Sequence, residues 1–116
     1  MAAEGAVATV LFKREKITDS DVIAAMCDRI QFFIDYNCPR FIVFDFEQVR
    51  FFSSEVLGLL LEMRTKVAAW HGEVVISSLN PQLQRVFKVT NLDRIFTFYP
   101  DAETAIAAGS TVGGEK

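Results

Sequence analysis

Two serines stand where the run Val49-Arg-Phe-Phe-Ser-Ser-Glu-Val-Leu-Gly-Leu-Leu-Leu61 turns from aromatic residues to helical spacing. A hydroxyl at such a point can do one of two things. As an N-cap it accepts a hydrogen bond from a free amide of the first turn, a contribution of about 1 kcal/mol. As a phosphoryl acceptor it would set about two negative charges against the positive end of a helix and change the surface without unfolding the chain. Ser53 reads as the better cap and Ser54 as the better acceptor. Advancing about 100° per residue from Ser54 puts Glu55, Gly58, Glu62 and Lys66 on a polar side and Val56, Leu60, Met63 and Val67 roughly opposite. Ser54 then lies at the border of the polar side, beside Leu57 and Leu61. The patch expected to meet a protein partner is therefore Ser53, Ser54, Glu55, Leu57, Gly58 and Leu61.

Other chemistry finds little support. A nucleophilic enzyme needs a serine, cysteine or threonine beside a base, and His71 is the one histidine. It follows Trp70 at an expected helix end, where it caps carbonyls or faces solvent. The chain contains no G-x-S-x-G elbow, no phosphate-binding G-x-x-x-x-G-K-[ST] loop and no G-x-G-x-x-G. No catalytic residue and no cofactor are assigned. Two cysteines with one histidine and no Cys-x-x-Cys spacing make no zinc site. Cys27 and Cys38 fall about 16 Å apart along one helix, beyond the reach of a disulfide, so two free thiols are expected, with Cys27 facing the core between Ile23 and Ile30. Asp45 is the acid embedded in an apolar run. At a strand's C-terminal end it either faces the crevice where open α/β sheets bind ligands or accepts backbone amides of the next loop. A small nucleotide or lipid bound near Asp45 is a third functional reading.

These residues need a scaffold, and the hydropathy pattern supplies one. Ala6 to Phe12 suits a strand, and Val22, Ile23, Met26, Cys27, Ile30, Phe33 and Ile34 recur at helical spacing after cap candidates in Ile17–Asp21. Phe41 to Phe46 is short and almost wholly apolar, as in a strand buried on both faces at the centre of a sheet. A helix follows over 53–70, with Gly72 as the residue that closes it. Val74, Val75 and Ile76 form another buried strand. Asn80-Pro81 opens a third helix with Leu83, Val86, Phe87 and Val89 on one side. Ile95 to Tyr99 is a last strand, Asp101 to Ala108 a short helix, and 109–116 a flexible tail. Strands alternating with helices predict a mostly parallel α/β sheet of four or five strands. Helices on both faces and helices crowded on one face are both open at this point.

The chain has 116 residues, 51% hydrophobic and 23% charged, which suits one domain with one core. A mean hydropathy of +0.24 excludes a disordered chain. The net charge of −3 opposes a nucleic-acid partner, and the clump Lys13, Arg14 and Lys16 is broken by Glu15 and reads as a solvated loop. No apolar run reaches the ~18 residues that span a bilayer and no secretory signal is apparent, so a cytoplasmic protein without direct membrane insertion is expected.

The segments Phe41-Ile-Val-Phe-Asp-Phe46, Val49-Arg-Phe-Phe-Ser-Ser54, Leu57-Gly58, Gly72-Glu-Val-Val-Ile76, Val86-Phe-Lys-Val-Thr-Asn-Leu-Asp93 and Ile95-Phe96 occur in an order that resembles the STAS domain, the sulfate transporter and anti-sigma-factor antagonist family. The resemblance spans about residues 6–108. It implies a mixed sheet with helices mainly on one face and a regulatory binding module in place of an enzyme. It also implies a partner, an anti-sigma factor that is a serine kinase of the histidine-kinase-like ATPase type. That partner binds the unmodified protein and phosphorylates a serine at the start of the second helix. The family pattern D-S-[ST]-G-x-G places Ser53 on the aspartate, Ser54 on the phosphoacceptor, Glu55 on the second hydroxyl residue and Val56 on the glycine. Three of these positions depart from the pattern, and Glu55 sets a negative group beside the acceptor. The family's other roles, as a constitutive docking subunit of a signalling scaffold or of an ABC-type lipid transport system, need no phosphorylation.

Overall fold

A computed structural model of the chain describes residues 2–4 and 7–114, with side-chain surroundings for 7–109. Its elements are β1 (Ala2–Glu4), β2 (Val7–Leu11), β3 (Lys16–Ile17), α1 (Ser20–Asn37), β4 (Phe41–Asp45), β5 (Phe51–Phe52), α2 (Ser54–Ala68), β6 (Glu73–Ser77), α3 (Pro81–Val89), a 3-10 turn (Leu92–Arg94), β7 (Thr97–Tyr99) and α4 (Ala102–Gly114). The main sheet has the order β1-β2-β4-β6-β7, and a separate two-stranded ladder pairs β3 with β5. β2, β4, β6 and β7 pair in parallel, while β1 runs antiparallel on one edge. The apolar run Phe41–Asp45 is the central strand, and all five of its residues are buried.

Successive side chains of a strand point to opposite faces, and here the two faces meet different helices. Ala8, Val10, Ile42, Phe44, Val74 and Ile76 join the larger core, which includes Ile23, Ile30 and Ile34 of α1, Val56, Leu60, Met63 and Val67 of α2, and Leu83 and Phe87 of α3. Val7, Phe41, Val43 and Val75 face the other way and pack with Ala105 of α4. Three helices thus share one face and one helix covers the other, which settles the alternative that the pattern left open. The four inward residues expected of α2 are fully buried, each contributing about 1.5–3 kcal/mol over an exposed position.

Several boundaries differ from expectation for local reasons. The Ala-Ala-Glu of β1 carries no β-branched or aromatic residue and is held by its pairing with β2. The ladder of β3 with β5 is two residues long on each side, too short to register as a pattern. Within the stretch read as a solvated loop, Lys13, Arg14 and Lys16 are indeed exposed, yet Lys16 is the first residue of β3. Val89 lies outside the apolar side of α3 and is 74% exposed. α4 continues through Gly114, where a tail from 109 was expected. The buried Gly109 sets the helix against Phe41, whose ring would collide with any Cβ at that position. Residue 6 of the first expected strand and residues 115 and 116 of the expected tail lie outside the described residues.

The end of α2 also differs in one detail. His71 N–H donates to the Ala68 carbonyl and Gly72 N–H to that of Val67 at 2.7 Å, the paired closure of a Schellman motif. The left-handed residue is the exposed His71, with φ 63°, one position before the expected glycine. Gly72 is needed for closeness, since a Cβ there would lie 2.8 Å from Val67 Cβ and 3.1 Å from the Pro39 carbonyl.

Candidate functional site

The approach to α2 is built on phenylalanine. Ring centroids of Phe12 and Phe46 lie 4.9 Å apart, those of Phe46 and Phe52 5.6 Å, those of Phe52 and Phe87 6.1 Å, and those of Phe87 and Phe98 5.2 Å. Tilted and edge-to-face pairs at these distances add about 0.5–1.5 kcal/mol each to their burial. This chain of rings fixes Phe52, the residue immediately before Ser53. The backbone is pinned as well. Glu15 carbonyl accepts the amides of Arg50 and Phe51, and Ile17 carbonyl accepts that of Ser53 at 3.0 Å. From the other side, Asn80 caps α3 by accepting Leu83 N–H at 2.8 Å, and its amide donates to the carbonyls of Val49 and Arg50 at 3.4 Å. Asn80 and Phe87 are positioning residues that sequence reasoning assigned only to α3. The Asn-Pro cap was legible, but its second use across 30 residues was not.

Ser53 occupies the N-cap position with extended backbone, φ −84° and ψ 166°, but its side chain makes no capping bond. The expected capping role is therefore corrected. Among the described residues Ser53 Oγ is buried without a hydrogen-bond partner, and in the first turn Val56 N–H donates to the Ser53 carbonyl at 3.0 Å. A buried unsatisfied hydroxyl carries a desolvation cost of about 1–3 kcal/mol. Ser53→Ala should therefore leave unfolding free energy unchanged or raise it, whereas loss of a true cap would lower it by about 1 kcal/mol. Urea denaturation distinguishes the two.

Ser54 is the first residue of α2 and is exposed, as are Glu55 and Gly58. Leu61 is half-buried against the main core. Leu57 is a correction to the expected patch: it is 7% exposed and belongs to the apolar cluster that holds Phe52 and Val56. A helical wheel gives the direction of a side chain and omits how far the neighbouring elements rise around it. Phe51, three residues before Ser54, is a large apolar residue left 46% exposed.

The side of α2 read as polar and outward is partly a seam with α1. Ser20 Oγ donates to Glu55 Oε1 at 2.9 Å, Gln31 Nε2 to Glu62 Oε2 at 2.8 Å, and Lys66 Nζ pairs with Asp35 Oδ1 at 3.0 Å. Cys27 sits in this seam, half-buried, its thiol 3.6 Å from Glu62 Oε1. It packs against the rim of the core without entering it. Cys27 and Cys38 are both free. Burial pushes the Cys27 thiol up, and the negative charge of Glu62 adds to the shift. Since the thiolate is the reactive form, Cys38, which is exposed at the end of α1, should be alkylated first by iodoacetamide at mildly alkaline pH. Mass spectrometry of the partly labelled protein checks the order.

Asp45 follows the backbone alternative. It is 5% exposed, and its Oδ1 accepts Glu47 N–H at 3.2 Å and Ser77 Oγ–H at 3.3 Å. The open groove at the C-terminal ends of the strands is lined by Glu47, Arg50, Asn80 and Asp101 among others, and Asp45 takes no part in it. Asp101 caps α4 by accepting Thr104 N–H at 2.7 Å, a bond that holds its carboxyl below the usual range. Among the described residues no group of three or more His, Cys, Asp or Glu is arranged to hold a metal, and no helix is long and apolar enough to cross a membrane.

A mostly parallel sheet with three helices on one face and one on the other defines a known domain class. The sequence profile of the STAS domain matches residues 6–105, and the chain belongs to that family. Solved structures repeat the fold. The anti-sigma factor antagonist SpoIIAA in its unphosphorylated form superposes with a TM-score of 0.79 at 18% identity, covering 98% of this chain and 94% of that one. The Bacillus cell fate determinant SpoIIAA in its phosphorylated form gives 0.69 at 17% identity, covering 93% and 96%. The STAS domain of a SulP transporter from Vibrio cholerae gives 0.78 at 17% identity, covering 99% and 89%.

Proposed function

We propose that this protein is a non-enzymatic regulatory module of the anti-sigma-factor antagonist kind, acting in the cytoplasm. Its unmodified form binds an anti-sigma factor that is also a serine kinase of the histidine-kinase-like ATPase type, and phosphorylation of Ser54 ends that binding. The observation that carries this reading is the position of Ser54: exposed, with Glu55 and Gly58, on the first turns of a helix that is anchored by the buried Val56, Leu57, Leu59 and Leu60. A phosphate added there would face the free amides and positive dipole end of α2 without disturbing packing. The fold likeness to SpoIIAA in both phosphorylation states supports the same reading. The test is phosphotransfer from ATP by such a kinase, followed by intact mass and peptide mapping. One phosphoryl group on Ser54, absent from Ser54→Ala, is expected; modification elsewhere or none at all removes the switch.

A second reading, constitutive docking without phosphorylation, is favoured by Glu55. Its carboxylate adjoins the acceptor in sequence and is held by Ser20 at 2.9 Å, where it opposes an incoming phosphate. On this reading the same surface, Ser54, Glu55, Gly58, Leu61 and Phe51, with Ser53 beneath, meets a signalling scaffold or a subunit of a lipid transport system. Neither reading uses nucleic acid, a cofactor or a metal.

A further inference from the structure

A slot of about 290 Å³ opens between the connection from β2 to β3 and the middle of α1. Its inner wall is apolar: Phe12, Ile17 and Ile30 are almost fully buried, and Met26 is partly so. Its rim carries Lys13, Arg14 and Arg29, all exposed. The ion pair found among the described residues joins Lys66 to Asp35, and none of these three cations pairs with a carboxylate of the described residues. Glu15, the acid of this stretch, is exposed and takes no part in the lining. In a chain of net charge −3, three unpaired cations around an apolar slot are a local reversal of sign. The slot shares no lining residue with the surface around Ser54.

We propose that this slot binds an anionic amphiphile, a phosphate or carboxylate carried on an alkyl chain. The chain would lie on Leu11 and Met26, the partly exposed apolar residues of the lining, above the buried Phe12, Ile17 and Ile30, and the head would lie among Lys13, Arg14 and Arg29. Each part uses a different force. Desolvation of Leu11 and Met26 retains the tail, and charge-assisted hydrogen bonds, which from arginine are frequently bidentate, retain the head. A bare anion would have only the solvated rim, where exposed pairs are weak. Arg29 also borders the exposed Phe32 and Tyr36 and the half-buried Phe33 on α1, so the amphiphile can come from solution or from the surface of an anionic bilayer.

The experiment is an NMR titration of the ¹⁵N-labelled chain with octyl phosphate, with inorganic phosphate as the matched control. Octyl phosphate is expected to move the amides around Phe12–Ile17 and Met26–Ile30 with an affinity at least tenfold above that of inorganic phosphate. A combined Lys13→Gln, Arg14→Gln and Arg29→Gln variant, altered only at exposed positions and verified by thermal unfolding, should lose at least tenfold in affinity. Sedimentation with phosphatidylcholine vesicles containing phosphatidylglycerol then identifies the source: pelleting that the triple variant loses assigns the amphiphile to a bilayer, and protein left in the supernatant assigns it to solution. Equal responses to octyl and inorganic phosphate, or unchanged octyl phosphate binding by the triple variant, would overturn the proposal.

Discussion

Phe87→Ala is expected to lower the unfolding free energy by about 3–5 kcal/mol, the range for truncating a buried aromatic residue. Phe87 is 1% exposed and its ring stands edge-on to Phe52, Phe96 and Phe98 at centroid distances of 6.1, 6.2 and 5.2 Å. Removing it leaves a cavity between Phe52 of β5 and Phe98 of β7. For a domain whose whole stability is about 5–15 kcal/mol, this is a large part of the total. Urea denaturation with an unchanged m-value measures the loss. Phe32→Ala is the control, because Phe32 is 76% exposed and its removal should stay within about 0.5 kcal/mol. A loss below 1 kcal/mol for Phe87→Ala would mean that the ring chain does not hold the approach to α2.

Ser54→Asp should weaken partner binding by several kcal/mol, about a hundredfold or more, while leaving stability unchanged or slightly raised. The two signs come from the same charge. Near the N-terminus of α2, an added carboxylate interacts favourably with the helix dipole by about 0.3–1 kcal/mol. In a closely packed interface, it is an unpaired charge taken out of water. Ser54→Ala should bind like the wild type, because the exposed hydroxyl contributes no capping bond to the fold. Isothermal calorimetry with a partner recovered by pull-down, beside thermal unfolding of both variants, measures the split. Equal affinity of wild type and Ser54→Asp, both folded, would move the interface away from this helix.

Much of this architecture was written in local patterns. The short apolar run Phe41–Phe44, closed by Asp45, read as a strand covered on both faces. The spacing of Val56, Leu60, Met63 and Val67 fixed the buried side of α2, and Asn80-Pro81 fixed the start of α3, since each signal depends on residues within a turn or two of one another. The same range of vision explains why Ser54 was legible as an exposed hydroxyl at a helix start.

What tertiary structure alone decided involves residues distant in sequence. Leu57 is buried because the main core rises around the first turn of α2, and Glu55 is engaged because Ser20 lies opposite on α1. Ser53 has the composition of a cap, but its hydroxyl is buried with no hydrogen-bond partner among the described residues. The placement of α4 alone on the second face follows from the close contact of Gly109 with Phe41. Periodicity states which side of an element avoids water. Which neighbour covers that side, and how closely, depends on packing between segments tens of residues apart, and this is where the surface around Ser54 acquired its final shape.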